Sequence, residues 1–320
     1  MRKEKISLWG YIDKTGKYII TPRFDDAFNF HEGLAVVRKD YLFGYIDMTG
    51  KYIIEPQYQY AGSFIDGIAL VMADDKWGFI NRTGEYVISP QFDKATEFHD
   101  DIAMVIVNGK YGYIDKTGAY IVKPKFDVGG IFHEGLTWVQ TDNKYGFIDT
   151  SGNYAICPKF EFVRDFADGL AAARKALKFG YIDKMGEFVI PPVFKVAENF
   201  KNGIACVITD LDPIYIDKTG TPVNPSTAYL DRGSFKEGLL PAKDGDKYGF
   251  INDSGEFIIK PSFFIAEPFC EGLARVKTGV TSKWGYINKA GESAFKAKFN
   301  EAEDFCDGIA RVMVKIDPLL

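Results

Sequence analysis

One phrase recurs along this chain at a fixed step: an aromatic residue, a glycine, a second aromatic, Ile, then Asp or Asn, two variable residues and another glycine. It occurs as Trp9 to Gly16, Phe43 to Gly50, Trp77 to Gly84, Tyr111 to Gly118, Tyr145 to Gly152 and Phe179 to Gly186, and returns at Tyr248 to Gly255 and Trp284 to Gly291. From Gly10 through Gly44, Gly78, Gly112 and Gly146 to Gly180 the step is a constant 34 residues. Ile214 stands one step further, in a degenerate copy running from Pro213 to Gly220, and the last two steps, to Gly249 and Gly285, are 35 and 36. A period of this length implies one supersecondary unit repeated, each copy burying its apolar face against its neighbours. The 320 residues hold nine copies.

Each copy resolves into three short strands. In the first, residues 8–13 and 17–21 are β-rich runs joined by Asp13-Lys14-Thr15-Gly16, where Asp opens a type I turn and Gly supplies the left-handed residue of a G1 bulge. Pro22 is expected to end the second strand, because it cannot donate to a ladder; Pro56, Pro90, Pro124, Pro158, Pro192 and Pro261 share its phase. Phe24 and its equivalents then open an irregular stretch. The copy closes with a run such as Glu32-Gly33-Leu34-Ala35-Val36-Val37, a third strand that turns into the next copy through hairpin signals such as Asn108-Gly109 or Asp244-Gly245.

The stretch Lys-Trp-Gly-Phe-Ile-Asn-Arg-Thr-Gly-Glu-Tyr-Val-Ile-Ser-Pro-Gln-Phe-Asp at 76–93 resembles the WG-repeat family, a mainly bacterial class of tandem β repeats. Phased copies extend the resemblance over nearly the whole chain. Only Trp9, Trp77 and Trp284 keep the eponymous Trp; Phe or Tyr replaces it elsewhere, and the copy at about 210–243 loses the aromatic-Gly pair. The resemblance implies a binding or assembly role and no common biochemical activity.

Reading down the copies turns each motif position into a column. Side chains alternate along a strand, so Trp9 and Tyr11 share one face while Gly10 and Ile12 share the other. Both faces are apolar, and a strand of that kind is covered on both sides. The column Tyr11, Tyr45, Phe79, Tyr113, Phe147, Tyr181, Tyr215, Phe250 and Tyr286 reads as core. An exposed aromatic column would instead suit sugars or single-stranded nucleic acid.

His31, His99 and His133 share one phase, but zinc needs its ligands about 2 Å away while equivalent positions in a three-stranded meander lie roughly 14 Å apart, so no metal site is expected. Cys270 and Cys306 fall at the same phase, and the same spacing argues against a disulfide. The next position is acidic in eight copies: Glu32, Asp66, Asp100, Glu134, Asp168, Glu237, Glu271 and Asp307, with Asn202 interrupting. These carboxylates read first as turn-forming groups before Gly, and second as a displayed stripe for a basic protein partner. Lys14, Arg82, Lys116, Lys184, Lys218 and Lys289 on the hairpin turns read as a separate, solvated basic edge.

A net charge of −5 offers no general attraction to phosphate backbones or anionic lipid, so nucleic acid and membrane are poor partners. The N-terminus carries no apolar leader, which leads us to expect the cytoplasm. The four cysteines include no Cys-x-x-Cys pair. Nucleophile-elbow, His-Glu-x-x-His, Walker and Gly-x-Gly-x-x-Gly motifs are all missing, so neither catalysis nor a cofactor is expected. The degenerate copy, with Asp212-Pro213 in place of aromatic-Gly and Asn224-Pro225 shifting the proline, reads as a bend, a decayed unit or a partner notch.

The sequence thus predicts one all-β array over residues 1–320, made of nine three-stranded antiparallel units. An open superhelical stack is preferred to a closed propeller-like ring, since nine blades exceed the usual number. Closure stays the alternative because the chain starts with a hairpin strand and ends with a third-type strand at Gly308 to Val314. The expected function is a non-catalytic scaffold for protein–protein interaction, with carbohydrate or cell-wall binding second. Exposure of Trp9, Tyr11 and their equivalents separates the two.

Overall fold

The computed structural model describes residues 6–209, 213–223 and 235–316. All of its regular structure is β, in small antiparallel sheets. The Asp212 and Asn224-Pro225 features of the degenerate copy lie outside the described residues. By internal contacts the chain divides into two compact units, Met1–Ala73 with Asn81–Glu85 and Asp231–Leu320, and Asp74–Ile80 with Tyr86–Leu230.

In the second unit the sheet that best shows the pattern comprises Val128–Gly129, Leu136–Thr141, Lys144–Asp149 and Tyr154–Phe160, in that spatial order. It straddles the sequence repeat. The closing strand of one copy, Leu136–Thr141, pairs with the opening strand of the next, Lys144–Asp149, from Leu136↔Asp149 to Thr141↔Lys144. The three-stranded expectation is therefore corrected to four: the stretch after the Phe column supplies a two-residue strand, Val128–Gly129, pairing with Gln140 and Val139. Equivalent sheets are built on Lys110–Asp115 and Lys178–Ile182 in this unit and on Leu42–Asp47 and Trp284–Ile287 in the first.

Pro22 does not end its strand, which runs Tyr18–Phe24. The strand lies at the edge of its sheet, where a missing N–H leaves no ladder partner unserved. Proline in fact explains the glycine of the motif. A Cβ on Gly146 would lie 2.4 Å from the Ile156 carbonyl oxygen and 2.6 Å from the Pro158 nitrogen, and Gly10, Gly44, Gly78, Gly112, Gly180 and Gly249 meet the same two neighbours. At Gly285 the proline is replaced by Ala297, and the nearest atom is that side chain's Cβ, at 3.0 Å. The register slips by a bulge at this crossing in every such pair, as between Tyr145↔Phe160 and Phe147↔Ile156.

The core lies between successive sheets. Tyr181, Phe200, Ile190, Phe194, Ala205, Val207 and Ile216 form one buried cluster in the second unit, and Tyr11, Phe30, Ile20, Phe24, Ala35, Val37 and Ile46 its counterpart in the first. Tyr181 and Phe200 have ring centroids 4.6 Å apart, and the pair recurs as Tyr11–Phe30 at 4.9 Å and Tyr113–Phe132 at 5.3 Å. Hairpin-turn glycines seat on the second strand of the copy before them, Gly118 on Ile88, Gly152 on Val122 and Gly186 on Ile156, whereas Gly255, which follows the degenerate copy, has nothing within 4 Å.

An open stack gives its first strand no partner from the C-terminal end. In the first unit, however, Ile6–Asp13 pairs antiparallel with Ile309–Ile316 from Ile6↔Ile316 to Asp13↔Ile309. Gly16 seats on Phe295, as other turn glycines seat on the preceding copy, and Lys298 Nζ donates to the Gly16 carbonyl at 2.9 Å. The two ends of the chain thus complete one sheet between them, as the ring alternative expects and the preferred open stack does not.

Candidate functional site

The acidic column occupies one backbone position throughout. Glu32, Asp66, Asp100, Glu134, Asp168, Glu237, Glu271 and Asp307 all have positive φ, between 48° and 55°. In seven of these eight turns the next residue is Gly, also at positive φ, while Asp101 stands there after Asp100. Two consecutive left-handed residues make a type I′ hairpin turn, closed for instance by reciprocal His133 and Leu136 backbone bonds of 2.8 and 3.0 Å. A carboxylate does not fix this geometry by itself. What it adds is a bond to the next copy: Glu32 accepts the Gly67 N–H at 3.1 Å, Glu134 that of Gly169 at 3.1 Å, Asp168 that of Gly203 at 2.6 Å, Glu237 that of Gly272 at 3.1 Å and Glu271 that of Gly308 at 3.0 Å.

The basic column, expected as a separate edge, comes to these same carboxylates. Lys184 Nζ lies 3.3 Å from Glu134 and donates to its carbonyl at 2.9 Å; Lys289 reaches Glu237 at 3.0 Å, Arg82 reaches Glu32 at 3.9 Å, and Lys14 reaches Glu271 at 3.0 Å. The expectation fails for a geometric reason: Lys184 and Glu134 are 50 residues apart and meet only when copies stack. Lys116 makes its contact with Asp101, at 2.5 Å. Burial raises the Glu237 and Glu271 carboxyls, and the hydrogen bonds from Lys289 and Lys14, with those from Gly272 and Gly308, more than reverse this, leaving both lowered. These ion pairs are partly exposed, so each contributes at most about 1 kcal/mol.

The hairpin turns obey the sequence reading. Asp115 Oδ1 accepts the N–H groups of Thr117 at 2.9 Å and Ala119 at 3.0 Å and the Thr117 hydroxyl at 2.6 Å, and Gly118 takes φ of 85°. The bond from Thr117 holds the Asp115 carboxyl below its ordinary range, and Thr15, Thr49 and Thr219 do the same to Asp13, Asp47 and Asp217. A further column escaped the sequence reading. Asp25, Asp93, Asp127 and Glu161, directly after the Phe column, each accept a backbone N–H from the turn that joins one copy to the next: Asp40, Asn108, Asp142 and Ala176. Its signal was the recurrent Phe-Asp pair.

The aromatic column is sealed. Tyr45, Tyr113, Phe147, Tyr181 and Phe250 are fully buried, with Tyr11, Phe79 and Tyr286 nearly so and Tyr215 half-buried. The tyrosine hydroxyls are spent internally, Tyr113 donating to the Gly130 carbonyl at 2.9 Å and Tyr181 to that of Glu198 at 2.7 Å, and burial pushes their phenols well up. Trp9 and Trp77 are half-buried and Trp284 is buried. His31, His99 and His133 are exposed and open the type I′ turns. The cysteines are free thiols, and the described residues contain no group of three or more His, Cys, Asp or Glu placed to hold a metal.

Exposed apolar side chains instead concentrate on the outer strands. In the second unit Tyr86 is 47% exposed, Tyr120 41% and Tyr154 42%, all at the first position of the edge strand, with Val87 and Val189 exposed beside that position. In the first unit Ile19, Ile53, Phe257 and Ile258 occupy the same part of the strand.

A family model described as "WG containing repeat" matches residues 9–42, 43–77, 77–111, 111–145, 145–176, 179–210, 248–279 and 284–315. No curated protein matches the chain. Among solved structures, it is similar to a eukaryotic initiation factor with TM-score 0.48 and 11% identity, over 99% of this chain and 100% of that one. It is also similar to Hsv2p from Kluyveromyces lactis, with TM-score 0.37 and 10% identity over 78% and 91% of the two chains, and to a virginiamycin B lyase from Staphylococcus aureus, with TM-score 0.32 and 12% identity over 97% and 100%.

Proposed function

The chain belongs to the WG containing repeat family, and from that premise we propose that it is a non-catalytic scaffold holding a protein partner on the outer strands of its copies. The observation carrying this reading is the row of half-exposed rings at Tyr86, Tyr120 and Tyr154, set at one position in successive copies of the second unit beside exposed Val87 and Val189. Tyrosine joins a large apolar area to few rotatable bonds and a polar tip, which is why it is enriched where proteins bind proteins. Proline in each of these strands, at Pro90, Pro124 and Pro158, disfavours recognition by strand addition and leaves side chains to make the contact. The acidic column is assigned to bracing turns between copies, with any steering of a basic partner secondary. Carbohydrate binding loses support from the burial of the Tyr11 column, whose exposure it required.

The test uses the whole chain as bait, with bound proteins identified by mass spectrometry, beside a variant carrying Tyr86→Ser, Tyr120→Ser and Tyr154→Ser. The three rings are exposed, so the variant keeps its circular dichroism spectrum. It is expected to lose the partner that the unaltered chain retains. Equal recovery by both chains would refute the assignment of the partner to this surface.

A further inference from the structure

Two of the four cysteines hold the same repeat position in consecutive copies of the first unit. Cys270 and Cys306 each open a type I′ turn, closed by reciprocal backbone bonds of 2.9 and 3.1 Å with Leu273 and Ile309 respectively. In the other copies this position holds His, Ile, Ala or Lys. The sequence expectation set equivalent positions roughly 14 Å apart, three strand spacings across a flat meander, and so argued against a disulfide.

That distance does not hold at these turns, because consecutive copies touch there. The Cys270 Sγ donates to the Phe305 carbonyl at 3.0 Å, and Phe305 directly precedes Cys306. On the other side of Cys306, Glu271 accepts the Gly308 N–H at 3.0 Å. One bond before Cys306 and one after it hold the two turns side by side, with the Cys270 sulfur against the peptide group that carries Cys306. The Cys306 thiol has no hydrogen-bond partner among the described residues, so its side chain is free to rotate. Both cysteines are half-exposed, within reach of a small solute. A disulfide forms between residues whose Cα atoms lie about 4.4–6.8 Å apart. In turns already in contact, closing the bond asks for rotation of side chains rather than a new approach of copies.

We propose that Cys270 and Cys306 are a redox-modification site, at which a small disulfide such as glutathione disulfide converts the two thiols into one bond stapling consecutive copies. The strand that follows Cys306, Ile309–Ile316, is the partner of Ile6–Asp13, so the staple also braces the sheet shared by the two ends of the chain.

The chemistry is two exchanges. One protein thiolate attacks a sulfur of glutathione disulfide, forming a mixed disulfide and releasing one glutathione thiolate. The second protein thiolate attacks the protein sulfur of that intermediate and releases the other glutathione. The protons lost by the two cysteines end on the two glutathione thiols, so two protein thiols are oxidised and one disulfide is reduced. Burial pushes both thiols up, with Asp304, Glu271, Glu237 and the Cys306 thiol adding to the effect at Cys270, and Asp307 and Glu271 at Cys306. Few thiolates therefore stand ready at neutral pH, and exchange is slow there and quickens as the pH rises.

In the test the full chain is reduced, freed of reductant, incubated with glutathione disulfide, quenched with acid and mapped by mass spectrometry. Peptides holding Cys270 and Cys306 are expected joined to each other, two hydrogens lighter as a pair, while Cys157 and Cys206 carry glutathione or stay reduced. Cys270→Ser and Cys306→Ser should each leave the remaining cysteine as a lasting mixed disulfide. Serine is close to cysteine in size and at position 270 can donate to the same Phe305 carbonyl, so both variants stay folded. The stapled chain should melt at least about 2 °C higher than the reduced one, a difference that dithiothreitol removes and that neither variant shows. Glutathione on Cys270 and Cys306 without a bridge overturns the proposal, as do bridges that involve Cys157 or Cys206 equally. Failure of both thiols to react up to about pH 9 overturns it too, and a bridge that leaves the melting temperature unchanged refutes the staple.

Discussion

Replacing Gly146 with Ala tests why the motif contains glycine at all. The backbone there is not left-handed, so Ala is conformationally acceptable, and the smaller entropy of its unfolded chain would stabilise by about 0.4–1 kcal/mol. The obstacle is space. The new Cβ would sit 2.4 Å from the Ile156 oxygen and 2.6 Å from the Pro158 nitrogen, roughly 1 Å inside an ordinary carbon–oxygen contact. These atoms are backbone, tied by Phe147↔Ile156 and Tyr145↔Phe160, so relief requires the edge strand to move rather than a side chain to turn. Overpacking of this kind costs about 1–3 kcal/mol, and the upper end applies where backbone must shift. The net is about 2 kcal/mol, a fall in Tm of roughly 4–8 °C for a cooperative unit of this size. Gly285→Ala supplies the contrast, since there the nearest atom to the new Cβ is the Ala297 Cβ at 3.0 Å and no backbone atom lies closer than 3.4 Å; its loss should be less than half as large. Urea unfolding of both variants decides the matter. If Gly146→Ala matches the unaltered chain, or if the two variants lose equally, the Gly–Pro crossing is not what demands glycine.

Three further outcomes follow from the turns, the core and the seam. Asp13, Asp47, Asp115 and Asp217 have carboxyls held below their unfolded values, so their stabilisation is present above pH about 4 and is lost as pH falls through the folded values; the urea midpoint should be flat near neutrality and drop in acid. Asp115→Asn should keep the turn, as Asn81 and Asn252 do, and make the acid drop shallower. The buried phenols of Tyr11, Tyr113, Tyr181 and Tyr286 are raised, which gives stability present below pH about 10 and lost above it; ultraviolet titration should show them ionising only as the chain unfolds in alkali, and ionisation together with the exposed tyrosines would contradict their burial. Deleting residues 309–320 should strip Ile6–Asp13 of its partner strand, giving aggregation by light scattering; a soluble, cooperatively melting product would show that the end-to-end pairing contributes little.

The parts legible in the sequence were those set by residues close together along the chain. The Asp115 to Gly118 turn, the sealed Tyr113 column and the Asn108-Gly109 hairpin depend on residues a few positions apart, where turn chemistry and alternation act directly. What escaped were relations that exist only once copies stack. Val128–Gly129 is too short to carry a strand pattern and becomes a strand because Leu136–Thr141 offers it an edge. Pro22 looked like a stop, yet it stands in an edge strand whose backbone fills the space above Gly10, so the two residues are one feature read as two. The acidic and basic columns looked like separate stripes because nothing local joins Glu134 to Lys184, although each serves the other.

The displacement between sequence repeat and sheet also explains why the two ends meet. Each sheet takes its closing strand from one copy and its opening strand from the next, and the opening strand Ile6–Asp13 takes its closing strand from Ile309–Ile316. An array phased in this way has one unpaired strand at each end unless the ends are brought together, and two such edges invite association with other chains. The pairing of Trp9 with Met313 and of Tyr11 with Arg311 meets both needs with one sheet. The Arg311 guanidinium, 5.1 Å over the Trp9 ring and donating to the Ala27 carbonyl, ties the last copy to the first through side chains as well as backbone.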